Sequence, residues 1–230
     1  MTVTYHNDIV QHTEEWLNLR LGLLTASEIC RILTPAKLQY VTGEKEKAHL
    51  YEILAQRING FAEPVFQSYD MFRGLEDEVE AKNYYRNNYD DIVDTGFITN
   101  DKWGFTLGYS PDGLVGDDGL VECKSRVAKY QIQTIIDNKM PDDYKIQVQA
   151  GLLISERKWC DFISYCNGMK MYVTRIYPDP EVQDAIVTAA TTFHQRLDEL
   201  AEVYSKRVLD KNIRLIQTEY KEKEVEIKAS

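Results

Sequence analysis

The sequence predicts an α/β (α+β) protein, a mixed central sheet flanked by helices. Three observations carry this. Residues 46–88 show helical spacing in two long segments. Residues 92–177 switch to short, largely alternating runs separated by turn residues. A long helical pattern then opens at Asp179-Pro180. With 230 residues, 43% of them hydrophobic and 28% charged, the chain can bury a core, and disorder is excluded. No internal repeat and no low-complexity tract divides it.

Taken in order, Trp16, Leu17, Leu19 and Leu21 suggest a short helix closed by Gly22. Thr25-Ala26-Ser27-Glu28 has the capping-box pattern and is expected to open a second, with Ile29, Ile32 and Leu33 on one face. Pro35 and Gly43 mark a loop over 34–45, and helices follow over about 46–59 and, after Ser68, about 69–88. On the latter, Met71, Phe72, Leu75 and Val79 define the apolar side. Ile92–Thr99 and Trp103–Tyr109 read as strands around an Asn100-Asp101 turn. Gly116-Asp117-Asp118-Gly119 is a hairpin turn leading into the alternating strand Leu120–Lys124. Helices are expected over about 129–137 and 143–156, then strands Trp159–Cys166 and Met169–Tyr177 joined at Asn167-Gly168. Asp179, Pro180 and Glu181 supply an N-cap, a first-position proline and a first-turn acid for a helix to about 209. The tail Lys221–Ser230 is charged and expected to fray.

Acids outnumber bases by 37 to 27, a net charge of −10, which argues against a general basic coat for nucleic acid or anionic membrane. A locally basic cleft stays compatible with that balance. No apolar run approaches the roughly 18 residues of a membrane helix. The start, Met1 to Asp8, lacks a basic n-region and an apolar h-region, so no secretory signal is expected. The four cysteines are too few and scattered for a disulfide framework, and a cytoplasmic protein is the simplest reading. Phosphate-loop, dinucleotide and nucleophile-elbow motifs are absent. The histidines show no ligand spacing, and Cys160 and Cys166 are too far apart for a zinc knuckle.

Chemistry concentrates in Ser110-Pro111-Asp112-Gly113 through Glu122-Cys123-Lys124-Ser125. Residues i and i+2 of a strand face the same way, so Glu122 and Lys124 project together. The short hairpin can bring Asp112 beside Glu122. Two carboxylates and a backbone carbonyl are hard ligands for Mg²⁺ or Mn²⁺, and a lysine beside them could orient water or neutralise phosphate. The competing reading is a solvated hairpin with acids as decoration. Glu78 falls at the edge of its helix's apolar side, and the helical wheel leaves open whether it snorkels or reaches into a site. Gln147, on an amphipathic helix, reads by itself as a structural hydrogen-bonder. Arg20, Thr25 and Ser27 surround an expected helix start that would favour an anion. Alone, they read as a cap and a surface arginine.

Together and in order, these segments resemble the YqaJ/phage-lambda-exonuclease family of PD-(D/E)xK nucleases. The matching segments are Trp16-x-x-x-Arg20-Leu21-Gly22, Leu24-Thr25-Ala26-Ser27-Glu28, Arg73-Gly74-x-x-x-Glu78-x-x-Ala81, Ser110-Pro111-Asp112-Gly113-Leu114, Gly119-Leu120-Val121-Glu122-Cys123-Lys124 and Gln147-Val148-Gln149. The resemblance implies a restriction-endonuclease-like core in one nuclease domain over 1–230: N-terminal helices 12–88, catalytic sheet core 91–177, C-terminal helix 180–209 and the tail. It implies that Asp112, Glu122 and the Cys123 backbone carbonyl bind divalent metal, a Mg²⁺ pair for which Mn²⁺ can substitute. Lys124 would act on the attacking water, Glu78 would serve the second metal or its water, and Gln147 would help hold the site. Arg20 and Ser27 would bind a DNA phosphate, the 5′-terminal one in the best-known member, with Thr25 and Ser110 in support. The implied activity is a Mg²⁺-dependent 5′→3′ exonuclease on double-stranded DNA ends. It would serve phage-type recombination in a bacterial host cytoplasm as a homotrimer, alongside a single-strand annealing protein. The alternatives are a structure- or site-specific endonuclease on the same core and a non-cleaving DNA-end-binding module. Ser125 departs from the family, where the best-known member continues with proline.

Overall fold

The computed structural model describes residues 2–63 and 68–219; the charged tail named above lies outside them. Helices and strands alternate as expected, in two four-stranded sheets rather than one. Strand β1 (Val3–His6) is followed by helix α1 (Glu14–Arg20), strand β2 (Leu24–Thr25), helix α2 (Glu44–Asn59) and helix α3 (Tyr69–Asn88). Strands β3 (Phe97–Asn100), β4 (Leu107–Tyr109), β5 (Gly113–Val115) and β6 (Gly119–Ser125) come next. Helices α4 (Ala128–Asp137) and α5 (Lys145–Ser155) lead to β7 (Trp159–Tyr165), β8 (Tyr172–Ile176) and the long α6 (Pro180–Val208).

The first sheet runs β1-β3-β4-β2 and the second β5-β6-β7-β8. Each contains one parallel pair, β2/β4 and β6/β7, among antiparallel neighbours. A parallel pair needs a crossover, and α4 and α5 supply it between β6 and β7. The chain leaves the first sheet at Tyr109 and enters the second at Gly113, so Ser110-Pro111-Asp112 joins the two. Helix α5 packs on β3, β4 and β7, spanning both sheets. The larger core lies on its side, with Leu120, Phe162, Ile146 and Phe193 fully buried. A smaller core, built on Val121, Ile163, Ala81 and Tyr85, fills the space between the second sheet and α3.

The caps follow the sequence. Ser68 and Asp179 accept hydrogen bonds from the backbone N–H groups of Met71 and Val182, with Pro180 at the first turn of α6.

Three expectations need correction. Thr25-Ala26-Ser27-Glu28 does not start an α-helix: Thr25 pairs with Gly108 in the parallel β2/β4 bridge, and only one 3₁₀ turn follows at Ile29–Arg31. Glu28 still reaches back to the Thr25 N–H and hydroxyl at 3.1 and 2.6 Å, so half of the capping box forms without the helix. The apolar side of α3 is not buried, since Met71, Phe72, Leu75 and Val79 are exposed while Ala81 and Tyr85 enter the core. The inner side of that helix instead carries the polar groups that meet β6. The third correction is β1, which pairs antiparallel with β3 and was not anticipated.

Candidate active site

Alternation along β6 divides its side chains. Leu120 packs in the larger core, and Glu122 and Lys124 share its face. Val121 and Cys123 turn towards α3. Asp112, at the entry to β5, reaches across the hairpin and accepts the Cys123 backbone N–H at 2.5 Å. The short turn thus does what the sequence requires of it, setting both carboxylates at one end of the second sheet.

Glu122 is 1% exposed and collects three donors. Lys124 Nζ lies 2.6 Å and Gln147 Nε2 2.5 Å from its Oε1, and the Tyr109 hydroxyl donates to Oε2 at 3.0 Å. Burial raises the Asp112 carboxyl well above the usual range, and the charges of Glu122 and Glu78 push it further. Lys124 and the Cys123 N–H act against this. Burial pulls the Lys124 ammonium down, yet Glu122 and Asp112 outweigh it and hold the group charged. Glu78 faces this cluster from α3, its Oε1 3.4 Å from Lys82 Nζ.

Tyr109 was not singled out in the sequence. Its signal is Gly151: a Cβ there would lie 2.7 Å from the Tyr109 Cζ, so α5 has a glycine where the ring passes beneath it. Asp77, on the inner side of α3, also contributes. Ser125 Oγ donates to Asp77 Oδ2 at 2.5 Å and accepts from Arg73 Nε at 3.2 Å. The serine that departs from the family pattern thus pins α3 to the end of β6, one residue past Lys124.

The second cluster gathers Arg20, Thr25, Ser27, Ser110, Tyr109 and Gln147 around a cavity of about 50 Å³. Arg20, last residue of α1, lies with its guanidinium carbon 4.3 Å from the Trp16 ring centroid. Arg20 Nη1 and Trp16 Nε1 both donate to Ser110 Oγ, at 2.9 and 3.0 Å. With two donors on its oxygen, the Ser110 hydroxyl keeps its own proton to donate. Gly22, at φ +69°, makes the turn from α1 to β2. Gln56 accepts its N–H and Arg57 donates to its carbonyl, clamping the turn to α2. An anion in this cavity would meet an arginine and hydroxyls rather than helix-start N–H groups, because no α-helix begins at Thr25. Tyr109 and Gln147 line the cavity and also donate to Glu122, so the two clusters share a wall.

The donor set fits a divalent cation. Asp112, Glu122 and a backbone carbonyl are hard oxygens, and the crowding of carboxylates on Asp112 is what a bound cation relieves. Among the described residues no group of three or more His, Cys, Asp or Glu side chains comes together to hold a metal ion. Mg²⁺ suits such a partial shell, since it keeps waters and takes substrate phosphate as a ligand. Among those residues, too, no helix is long and apolar enough to cross a membrane.

Asp112, Glu122 and Lys124 meet on a mixed-sheet core consistent with the restriction-endonuclease-like fold class. The match to the YqaJ-like viral recombinase domain covers residues 15–158, and the chain belongs to that family. Among solved structures it is similar to the alkaline exonuclease LHK-Exo of Laribacter hongkongensis, with 29% identity, a TM-score of 0.75, and 85% of this chain and 98% of that one covered. The same exonuclease in complex with dAMP matches at 30% identity and the same TM-score and coverage. A phage-related exonuclease from Haemophilus somnus 129PT shares the fold at 13% identity and a TM-score of 0.54, covering 81% of this chain and 98% of that one. No curated protein matches the chain by sequence.

Proposed function

We propose that this protein is a Mg²⁺-dependent 5′→3′ exonuclease on double-stranded DNA, acting as a single nuclease domain. The observation that carries the reading is the shared wall: Tyr109 and Gln147 tie an arginine–hydroxyl cavity directly to the Glu122–Lys124–Asp112 cluster. One cluster suits a terminal phosphate and the other suits hydrolysis of the adjoining diester. The similarity to an alkaline exonuclease crystallised with dAMP supports a nucleotide product.

Asp112, Glu122 and the Cys123 carbonyl would hold two Mg²⁺ ions, with Glu78 serving the second; Mn²⁺ can replace them. When bound, the ions supply an activated water and neutralise charge on the phosphate. Lys124 orients that water and stabilises charge developing on the phosphoryl oxygens. Gln147 and Tyr109 hold Glu122 in one rotamer by donating to Oε1 and Oε2, and Oε2 keeps a lone pair for metal. Arg20 and the Ser110 hydroxyl bind the 5′-phosphate, with Ser27 and Thr25 completing the cavity rim.

The biological setting we infer is phage-type recombination. There the protein would work on DNA ends as a homotrimer and pass single strands to an annealing protein. The exposed apolar face of α3, together with Tyr130, Ile132, Ile135 and Ile136 exposed on α4, supports self-association. The deciding experiment offers linear and covalently closed circular duplex, each with Mg²⁺ and with excess chelator. Digestion of the linear form alone, only with Mg²⁺, is the expected result. Cleavage of closed circles would identify an endonuclease. Binding of ends without cleavage would identify a binding module.

A further inference from the structure

Lys82 lies one turn beyond Glu78 on α3, with its ammonium held between carboxylates of different elements. It is 2.7 Å from Asp94 Oδ1 and 3.4 Å from Glu78 Oε1. The Lys82 side chain is 14% exposed and that of Asp94 71%, so one partner faces solvent and the other faces the site. Asp112 bears on Lys82 as a third negative charge. Arg86 approaches the second Asp94 oxygen at 3.8 Å. A cation belonging to the protein itself therefore sits beside the carboxylates assigned above to metal.

We propose that Lys82 is a resident counter-cation that competes with divalent metal for Glu78, and that Asp94 draws the ammonium aside when metal enters. The inference rests on the metal-dependent reading above. Two effects act in one direction. An ammonium close to a dication repels it, and an oxygen of Glu78 engaged by Lys82 is not free for another cation. Removing the lysine charge must then tighten metal binding. Removing the Asp94 charge must weaken it, because Lys82 is left to Glu78. A lysine that merely braced α3 would give the opposite sign at position 82, since its loss would loosen the site.

The test titrates Mn²⁺ calorimetrically into the full chain without DNA. The wild type is compared with Lys82→Met, Lys82→Arg, Asp94→Asn, Glu78→Gln, and Lys82→Met combined with Glu78→Gln. Lys82→Met should bind Mn²⁺ roughly tenfold more tightly, as loss of one partly buried like charge implies. Lys82→Arg should stay within about twofold, since the charge remains. Asp94→Asn should bind several-fold more weakly. Most of the Lys82→Met gain should vanish when Glu78 is glutamine, as expected for residues that act through one another. Unchanged or weaker binding by Lys82→Met, or a gain that persists in full without Glu78, would overturn the proposal. A wild type that takes up no Mn²⁺ would remove the metal reading and this inference together. A wild type that binds Mn²⁺ normally while Lys82→Met gains nothing would remove the inference alone. Should Lys82→Met fail to fold, Asp94→Asn decides: weaker binding supports the competition, and unchanged or tighter binding ends it.

Discussion

Glu122 carries three donors on two oxygens, and each donor comes from a different element: Lys124 from β6, Gln147 from α5 and Tyr109 from β4. Of these, Lys124 alone has a side chain that is both cationic and partly open, at 22% exposure. Lys124→Ala should therefore lower the chemical step by about 10²–10⁴-fold while DNA binding and the melting temperature hold. Single-turnover cleavage beside an equilibrium binding assay reads both, and near-normal turnover with Mg²⁺ would remove its role. Arg20 makes the matching case at the other cluster. It stacks on Trp16 and donates to Ser110, so it is fixed before any ligand arrives. Arg20→Ala should cost about 1.5–3 kcal/mol of a charge-assisted contact, roughly ten- to a hundredfold. That loss should appear on 5′-phosphorylated duplex, with little change on 5′-hydroxyl ends. Equal wild-type rates on both ends would return Arg20 to a structural part.

At the scale of elements, the sequence was most legible where a cap or turn residue marks a boundary. Ser68 and Asp179 placed the starts of α3 and α6, and the Gly116–Gly119 turn placed the β5/β6 hairpin that pairs Asp112 with Cys123. Legibility failed where tertiary pairing overrode local preference. Thr25 became a strand residue because β4 offered it a partner, and β1 is too short to announce itself without β3. The apolar side read for α3 faces out, and α4 shows the same inversion. Gln131 is fully buried because Ser164 donates to its oxygen and its amide donates to the Ser164 and Lys170 carbonyls, whereas the isoleucines beside it face out. Of the site, Glu122 and Lys124 could be read from strand alternation and Asp112 from the short hairpin. Tyr109, Asp77 and Lys82 could not, because their roles come from contacts across 12 or more residues or from a wheel face reversed by the fold. Helix α6 supplies a prediction of its own. His194 is stacked on Phe105 with ring centroids 4.3 Å apart, and burial, with Arg57 nearby, lowers its pKa from 6.5 to about 4; Asp198 acts weakly the other way. The unfolded chain binds this proton more readily than the folded one, so the contribution is complete above pH 6.5 and is lost as pH falls towards 4. Chemical denaturation across that window should show wild-type stability falling with acid and a shallower fall for His194→Phe. Identical slopes would remove the histidine from the account.

For the whole molecule, two exposed apolar helix faces are more than a lone acidic protomer of charge −10 would carry without use. Light scattering should find a trimer at working concentration. Val79→Glu with Ile136→Glu should give monomers that still cleave but release DNA after short runs. A wild-type monomer that digests long duplexes without dissociating would contradict the link between assembly and retention.

The division into two sheets bears on the size of the product. The first sheet carries Thr25 and, through the Gly22 turn, Arg20, and Ser110 directly follows its β4; the second carries Glu122 and Lys124 and begins just after Asp112. Only Pro111 separates Ser110 from Asp112 along the chain, so their α-carbons stand no more than about 7 Å apart. Proline at that position fixes one of the two backbone torsions and keeps the link stiff. On the function proposed above, the gap between gripping an end and cutting beside it would be set by this short backbone link. Pro111→Gly should leave the folded sheets intact while broadening the released fragments from mononucleotides to a mixture that includes dinucleotides. In that role the strut between the sheets would gauge the cut.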